Sequence, residues 1–228
     1  AVEKRGLERA NQVIAVSQFT KQMLVKHYGI ASSRIDVIHN GIDPLPPSFV
    51  STPPAPAFAP SRPVIVFMGR LTMQKGGEYF LRLAQAVRAS LPNALFIVAG
   101  NGDLYHQLLF HTAAEQLTAQ VLFSGFVRDR QRDLLLERAD VFVMPSLSEP
   151  FGLVALEAAQ RLTPVIVSKQ SGVAEVLPSA IQLDFWDSEQ MARSIVALIR
   201  EPHYANQLIQ QQLKDMERVT WNSAASKV

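Results

Sequence analysis

Cysteine is absent from the 228 residues, which excludes a disulfide framework, a thiolate nucleophile and a cysteine-ligated zinc or iron–sulfur centre. Net charge is nearly absent as well. Lys and Arg number 22 against 20 Asp and Glu, a formal +2, and there is no concentrated basic surface of the kind that holds nucleic acid. No apolar run approaches the roughly 18 residues needed to cross a bilayer. No Asp-x-Asp pair occurs, so a diphosphate bound through a divalent metal would have no obvious ligand cluster. The five His are scattered, with His106 and His111 five apart and off the i, i+4 spacing of a helical metal pair. Gly100-Asn101-Gly102 begins like a dinucleotide fingerprint, but Leu104 and Tyr105 follow without the third glycine, which removes the main support for hydride transfer. The start of the chain, AVEKRGLERA, has no apolar core of a signal peptide, so a cytoplasmic location is expected.

What is present folds. Apolar residues make up 48% and charged residues 18%, a balance that excludes disorder. The length corresponds to about one and a half domains. Eight of the 14 prolines fall between residues 44 and 63, and proline removes backbone donors and holds its predecessor extended. Residues 44–63 therefore read as a linker between a short piece, 1–43, and a compact remainder, 64–228. In the remainder, VIVFM (64–68), LFIVA (95–99), VLF (121–123), VFVM (141–144), VIV (165–167) and a weaker IQL (181–183) are continuous apolar runs without alternation. Such runs fit strands buried on both faces. Stretches with helical spacing separate them, marked by Phe80, Leu83 and Val87, by Leu104, Leu108 and Leu117, and by Leu134 and Leu135. Further helices are expected over 152–161, 188–200 with Ser188 as cap, and 204–219. The fold class is α/β, a Rossmann-like parallel sheet with helices on both faces. In the short piece, VIAV (13–16) and IDVI (35–38) read as strands around a helix that Ser17 caps and Gly29 ends, too little for a separate core.

In an open parallel sheet, ligands bind beyond the carboxyl ends of the strands. Glycines gather there, Gly69 and Gly102 among them, as they do where backbone approaches a ligand closely. Arg70 and Lys75, five apart on a loop bordered by Gly69 and Gly76, could face one anion; the plain alternative is a pair of solvated loop charges. A helix N-terminus alone contributes about 0.3–2 kcal/mol toward an anion, too little for a diphosphate, and the two cations would supply the balance. Glu149 lies before Pro150 in the loop after VFVM, and Glu157 lies in the helix that follows. Carboxylates accept paired hydrogen bonds from vicinal hydroxyls, though a first-turn acid and an ordinary surface Glu would look the same. The amides around Phe151, Gly152 and Leu153 open that helix and are free to meet a phosphate.

Together, FMGRLTMQKGG, FIVAGNGD, LFSGFV, ADVFVMPSLSEPFGLVALEAA and PVIVSKQSGVAEVL resemble the C-terminal, donor-binding domain of glycosyltransferase family 4, or group 1, of the GT-B fold. The resemblance covers nearly the whole chain, because VIAVSQFTKQMLVKHYGIASSRIDVIHNGID is similar to the family's passage out of its N-terminal domain. GRL...KG alone is moderately specific; together with E-x7-E, from Glu149 to Glu157, in the same order and spacing, the resemblance is strong. The resemblance implies that Arg70 and Lys75 neutralise the donor's diphosphate, Glu149 contacts the transferred sugar and Glu157 the ribose. It implies that Phe151, Gly152 and Leu153 face sugar and phosphate, and that Phe126 and Val127 flank the base. The implied reaction is transfer of a hexose from a UDP-, GDP- or ADP-sugar with retention of configuration and without a metal. The acceptor, and any peripheral membrane contact, would belong to an N-terminal domain mostly missing here, so this chain alone would transfer little. An α-glucan synthase of related fold and a non-catalytic nucleotide-binding module are the alternatives. Two departures stand out: Leu162 where the family usually has Gly, and Ser171 where the first Gly of a Gly-Gly pair is frequent.

Overall fold

The computed structural model describes residues 2–45 and 62–228, so the proline-rich linker expected over 44–63 lies, apart from its ends, outside the described residues. Six parallel strands form the main sheet: β3 (Val64–Met68), β4 (Leu95–Ala99), β5 (Val121–Gly125), β6 (Val141–Met144), β7 (Val165–Ser168) and β8 (Ile181–Leu183). Their spatial order is β5-β4-β3-β6-β7-β8. The chain runs outward from β3 to one edge, then returns to the other side of β3 and runs outward again. Register places Ile65 beside both Phe96 and Val141, so β3 is central.

The apolar runs of β3, β4, β6 and β7 are continuous because both faces of the sheet are covered there. Ile65 and Phe67 join Phe80, Phe96 and Leu108 in a core under α3 (Gly77–Arg88), α4 (Tyr105–Ala114) and α7 (Ser188–Arg200). Val64 and Val66 point the other way, into a core with Leu136, Phe142 and Leu156 under α5 (Asp129–Arg138), α6 (Leu153–Gln160) and α8 (Pro202–Met216). Alternation is present, but apolar meets apolar on each side. Three expectations need correction. VLF is not buried on both faces, because β5 lies at the edge of the sheet and leaves Leu122 47% exposed. Asp187, not Ser188, caps α7, its carboxylate accepting from the Gln190 amide at 3.0 Å. On α5 the buried residue is Leu136, while Leu134 is exposed. Asp140 ties β6 to β3 by accepting from the Val64 amide at 2.7 Å; its pKa is raised by burial, against the lowering pull of that amide and of Arg138.

The N-terminal segment contains α1 (Val2–Arg9), β1 (Val13–Ala15), α2 (Gln18–Met23) and β2 (Ile35–Val37), with β1 and β2 paired in parallel. Ser17 caps α2 and Gly29, in the left-handed region, ends the wider turn that follows it. Val13, Ala15, Ile30 and Ile35 form a small core, and the segment also docks on the larger body. Gln18 and Phe19 donate their amides to the two carboxylate oxygens of Glu175, each at 2.8 Å. Farther on, Gly41 crosses the start of α9 (Trp221–Ala225) so closely that a Cβ there would lie 2.1 Å from the Trp221 nitrogen.

Candidate functional site

The chain reverses its direction of travel across the sheet between β3 and β6, which opens a crevice at their carboxyl ends. Two loops build it. The loop after β3 runs through a short 3-10 turn, Met73–Lys75, to Gly76 at φ 76°. A Cβ on Gly76 would lie 1.9 Å from the Pro145 carbonyl oxygen, so only glycine lets this loop lie against the one after β6. Leu147 then donates to the Gln74 carbonyl at 2.9 Å. The consequence is chemical: Lys75 Nζ reaches Glu149 Oε2 at 2.5 Å, with the Glu149 side chain 7% exposed and that of Lys75 28%. The Glu149 backbone is held on its other side, its amide donating to Gln170 O at 2.9 Å and its carbonyl accepting from Gly172 N at 3.0 Å.

Two anion-seeking features accompany this pair. Arg70 is exposed, and among the described residues its guanidinium has no hydrogen-bond or ion-pair partner. At the start of α6, Gly152 stands at φ 106° with no side-chain cap, and the amides of Gly152, Leu153 and Val154 donate to no acceptor among the described residues. The first turn of a helix carries partial positive charge, so these amides favour an anion in front of them. Phe151 itself is buried, and its carbonyl accepts from Val173 at 2.7 Å.

The glycines differ in what they do. Gly69 has nothing nearer than 4.0 Å to a Cβ position, leaving room on the crevice side of β3. Gly102 is crowded by protein, with Leu71 O 2.5 Å from its Cβ position, so packing of the β4 loop under the β3 loop already demands glycine there. Phe126 and Val127 lie past β5, two strands away from β3, and Phe126 is 73% exposed.

Glu157 has partners that no local pattern announced. Its Oε1 accepts from Arg132 Nη1 at 3.0 Å across the α5–α6 boundary. Arg161 donates Nη1 to the Glu157 carbonyl at 3.0 Å and Nη2 to Asp133 Oδ1 at 2.6 Å, and Asp133 also accepts from Arg132. Burial pushes the Glu157 carboxyl above its ordinary range, while Arg132 and Arg161 pull it down and Asp133 pushes it up. Also unsignalled in sequence, Ser17 Oγ and Thr20 Oγ1 both donate to the Pro150 carbonyl, at 2.6 and 3.1 Å, between Glu149 and Phe151. His39 Nε2 lies 2.8 Å from Glu175 Oε2.

The two unusual residues behave differently. Leu162 adopts φ 62°, a conformation that favours glycine. Ser171 sits at φ −132° and ψ 136°, an ordinary extended conformation, so this loop does not need glycine there. Among the described residues no group of three His, Cys, Asp or Glu forms a metal site, and no helix is long and apolar enough to cross a membrane.

Comparison with known proteins identifies a family and a shared fold. The family model described as glycosyl transferases group 1 matches residues 52–215, and that described as glycosyltransferase family 4 matches residues 1–44. An uncharacterized glycosyltransferase of Methanocaldococcus jannaschii is 28% identical across 100% of the chain, which covers 61% of that protein. The alpha-maltose-1-phosphate synthase of Mycobacterium tuberculosis is 31% identical over 88% of the chain and 57% of its own length. The chain thus spans little more than half of these relatives. Among solved structures, the sucrose-phosphate synthase of Thermosynechococcus elongatus superposes with a TM-score of 0.82 at 24% identity, over 99% of this chain and 58% of that one. HepE of Anabaena, solved with UDP and glucose, gives 0.81 at 21% identity, over 98% of this chain and 65% of that one. The GT-B arrangement of this half is therefore shared.

Proposed function

The chain belongs to the glycosyltransferases of group 1, and from that membership we propose that it is the donor-binding part of a retaining enzyme that moves a hexose from a nucleotide-sugar to an acceptor. The observation that carries this reading is the convergence, at the β3–β6 crevice, of Arg70 and the amides that open α6, none of them with a partner among the described residues, and the Lys75–Glu149 pair. A nucleoside diphosphate brings the negative charge these groups lack. Arg70, Lys75 and the amides would take the diphosphate, and Glu149, released from Lys75, would accept hydroxyls of the sugar. As the bond between sugar and diphosphate breaks, charge accumulates on the leaving phosphate, and cations fixed beside it stabilise that charge without reorganising. Glu157 would accept the ribose hydroxyls, Phe126 and Val127 would flank the base, and no divalent ion is needed for binding. The acceptor would be held by protein beyond this chain.

Titration calorimetry of the folded chain with UDP, GDP and ADP tests the reading. The HepE complex makes UDP the first to try. Binding of one diphosphate, undiminished by a chelator, is the expected result; no binding of any of the three sinks it. Similarity to a glycogen synthase of Mycobacterium tuberculosis, 30% identical over 78% of this chain, keeps an α-glucan-forming enzyme as a second reading of the same site. Product analysis with the complete protein separates the two.

A further inference from the structure

A carboxylate that binds a vicinal diol accepts two hydrogen bonds at once, which requires it to be ionised and held in one orientation. A free glutamate does neither cheaply. Fixing its side chain costs about 1.5–2 kcal/mol of rotamer entropy, and partial burial disfavours its charge. Glu157 stands in such a partly buried place, and its neighbours form a chain that meets both requirements. Arg161, whose side chain is 7% exposed, anchors on the Glu157 carbonyl and on Asp133 Oδ1. That same oxygen accepts from Arg132 Nε at 3.2 Å and Nη2 at 3.1 Å, fixing the plane of the guanidinium. The remaining Nη1 points to Glu157 Oε1, while Oε2 has no hydrogen-bond partner among the described residues. As a helix staple the arrangement would contribute little, because Arg132 is 35% exposed and exposed pairs contribute about 0–1 kcal/mol.

We propose that Arg132 is a positioning residue for the nucleoside end of the donor: braced by Asp133 and Arg161, it turns the Glu157 carboxylate so that Oε2 meets the vicinal hydroxyls of ribose, and so sets discrimination between ribose and deoxyribose. This rests on the assignment of Glu157 to ribose made above. The charged groups that act on the carboxylate are Arg132 and Asp133 from α5 and Arg161 from the end of α6.

The test uses the full chain and whichever of UDP, GDP or ADP binds, compared with its 2′-deoxy form by calorimetry between pH 5 and 8. The wild type should prefer the ribonucleotide by about tenfold, the scale of a hydrogen bond to a charged group. Glu157→Gln should abolish the preference. Arg132→Gln should cut it to about threefold or less and move the loss of binding on acidification to higher pH, and Arg132→Lys should restore part of both. An Arg132→Gln protein with the wild-type ratio and the wild-type acid limb overturns the proposal. A wild type without preference, or a Glu157→Gln protein that keeps it, overturns the ribose assignment itself and this inference with it.

Discussion

Replacing Lys75 by Met removes the ammonium but keeps most of the stem, and it leaves Glu149 stranded. The Glu149 side chain is 7% exposed, and Lys75 is the donor to its carboxylate. Two unit charges 4 Å apart attract by about 4 kcal/mol at an effective dielectric near 20, and removing one member of a fully buried pair costs about 3–5 kcal/mol. Here Lys75 is 28% exposed, so part of that attraction is already screened. The expected cost is about 2 kcal/mol, or roughly 4–8 °C in melting temperature for a chain of this size. Glu149→Gln should behave differently. The ammonium it leaves can rehydrate, so the loss should stay below about 1 kcal/mol, and the freed cation should tighten diphosphate binding severalfold. In the double variant Lys75→Met with Glu149→Gln, no charge is stranded and most of the stability should return. Calorimetric melts of the four proteins decide it. Equal losses in the two single variants, or no loss in Lys75→Met, would refute the view that burial of Glu149 makes the pair asymmetric.

Arg70→Ala should weaken nucleoside diphosphate binding about tenfold, as loss of a charge-assisted contact does, while the melting temperature holds, because Arg70 is exposed and has no partner among the described residues; calorimetry and a melt on one preparation check both. Gly76→Ala should cost about 3 kcal/mol or more, since its Cβ would enter the Pro145 carbonyl; a native melting temperature would contradict the loop contact. Leu162→Gly should stabilise by about 0.5–1 kcal/mol, the relief of a left-handed leucine less glycine's unfolded-state entropy, read as a raised denaturation midpoint. The raised pKa of Glu157 means that the folded state holds this proton more tightly than the unfolded chain does. Its stabilising contribution is therefore present below the ordinary glutamate value and is lost as pH rises through the folded value. Glu157→Gln should then be as stable as the wild type or more so at pH 7, with the relative gain fading on acidification; a variant less stable at pH 7 than at pH 4, relative to wild type, speaks against it.

The middle of the sheet was readable because β3, β4, β6 and β7 are covered on both faces, which turns alternation into an unbroken apolar run; at the edge, β5 leaves Leu122 47% exposed. The crevice was readable for a related reason: in a parallel sheet the loops after the strands all open at one edge, so strand ends alone bring Arg70, Lys75 and Glu149 to the same side. Sequence was mute where the partner is distant. Nothing local connects Arg132 to Glu157, 25 residues on, or Glu175 to the α2 amides 157 and 156 residues before it. Their encounter depends on how α5 lies beside α6 and how the N-terminal segment docks. Smaller misses have local causes. Asp187 and Ser188 are both good caps, and one residue of register decides between them. Three consecutive leucines, 134–136, carry no periodicity from which to choose Leu136.

The Pro150 carbonyl, which accepts both Ser17 and Thr20, works as a shared rivet between the N-terminal segment and the crevice. A hydrogen bond of this kind tolerates only a few tenths of an ångström before it weakens. Any displacement of α2 must therefore release both hydroxyls or carry Pro150 with it. Glu149 stands one residue before that peptide and Gly152 two residues after it. A tug on the N-terminal segment would thus arrive as torque on the carboxylate that faces Lys75 and on the first amides of α6, so that the two halves of the chain report their relative position directly to the groups proposed to hold the donor.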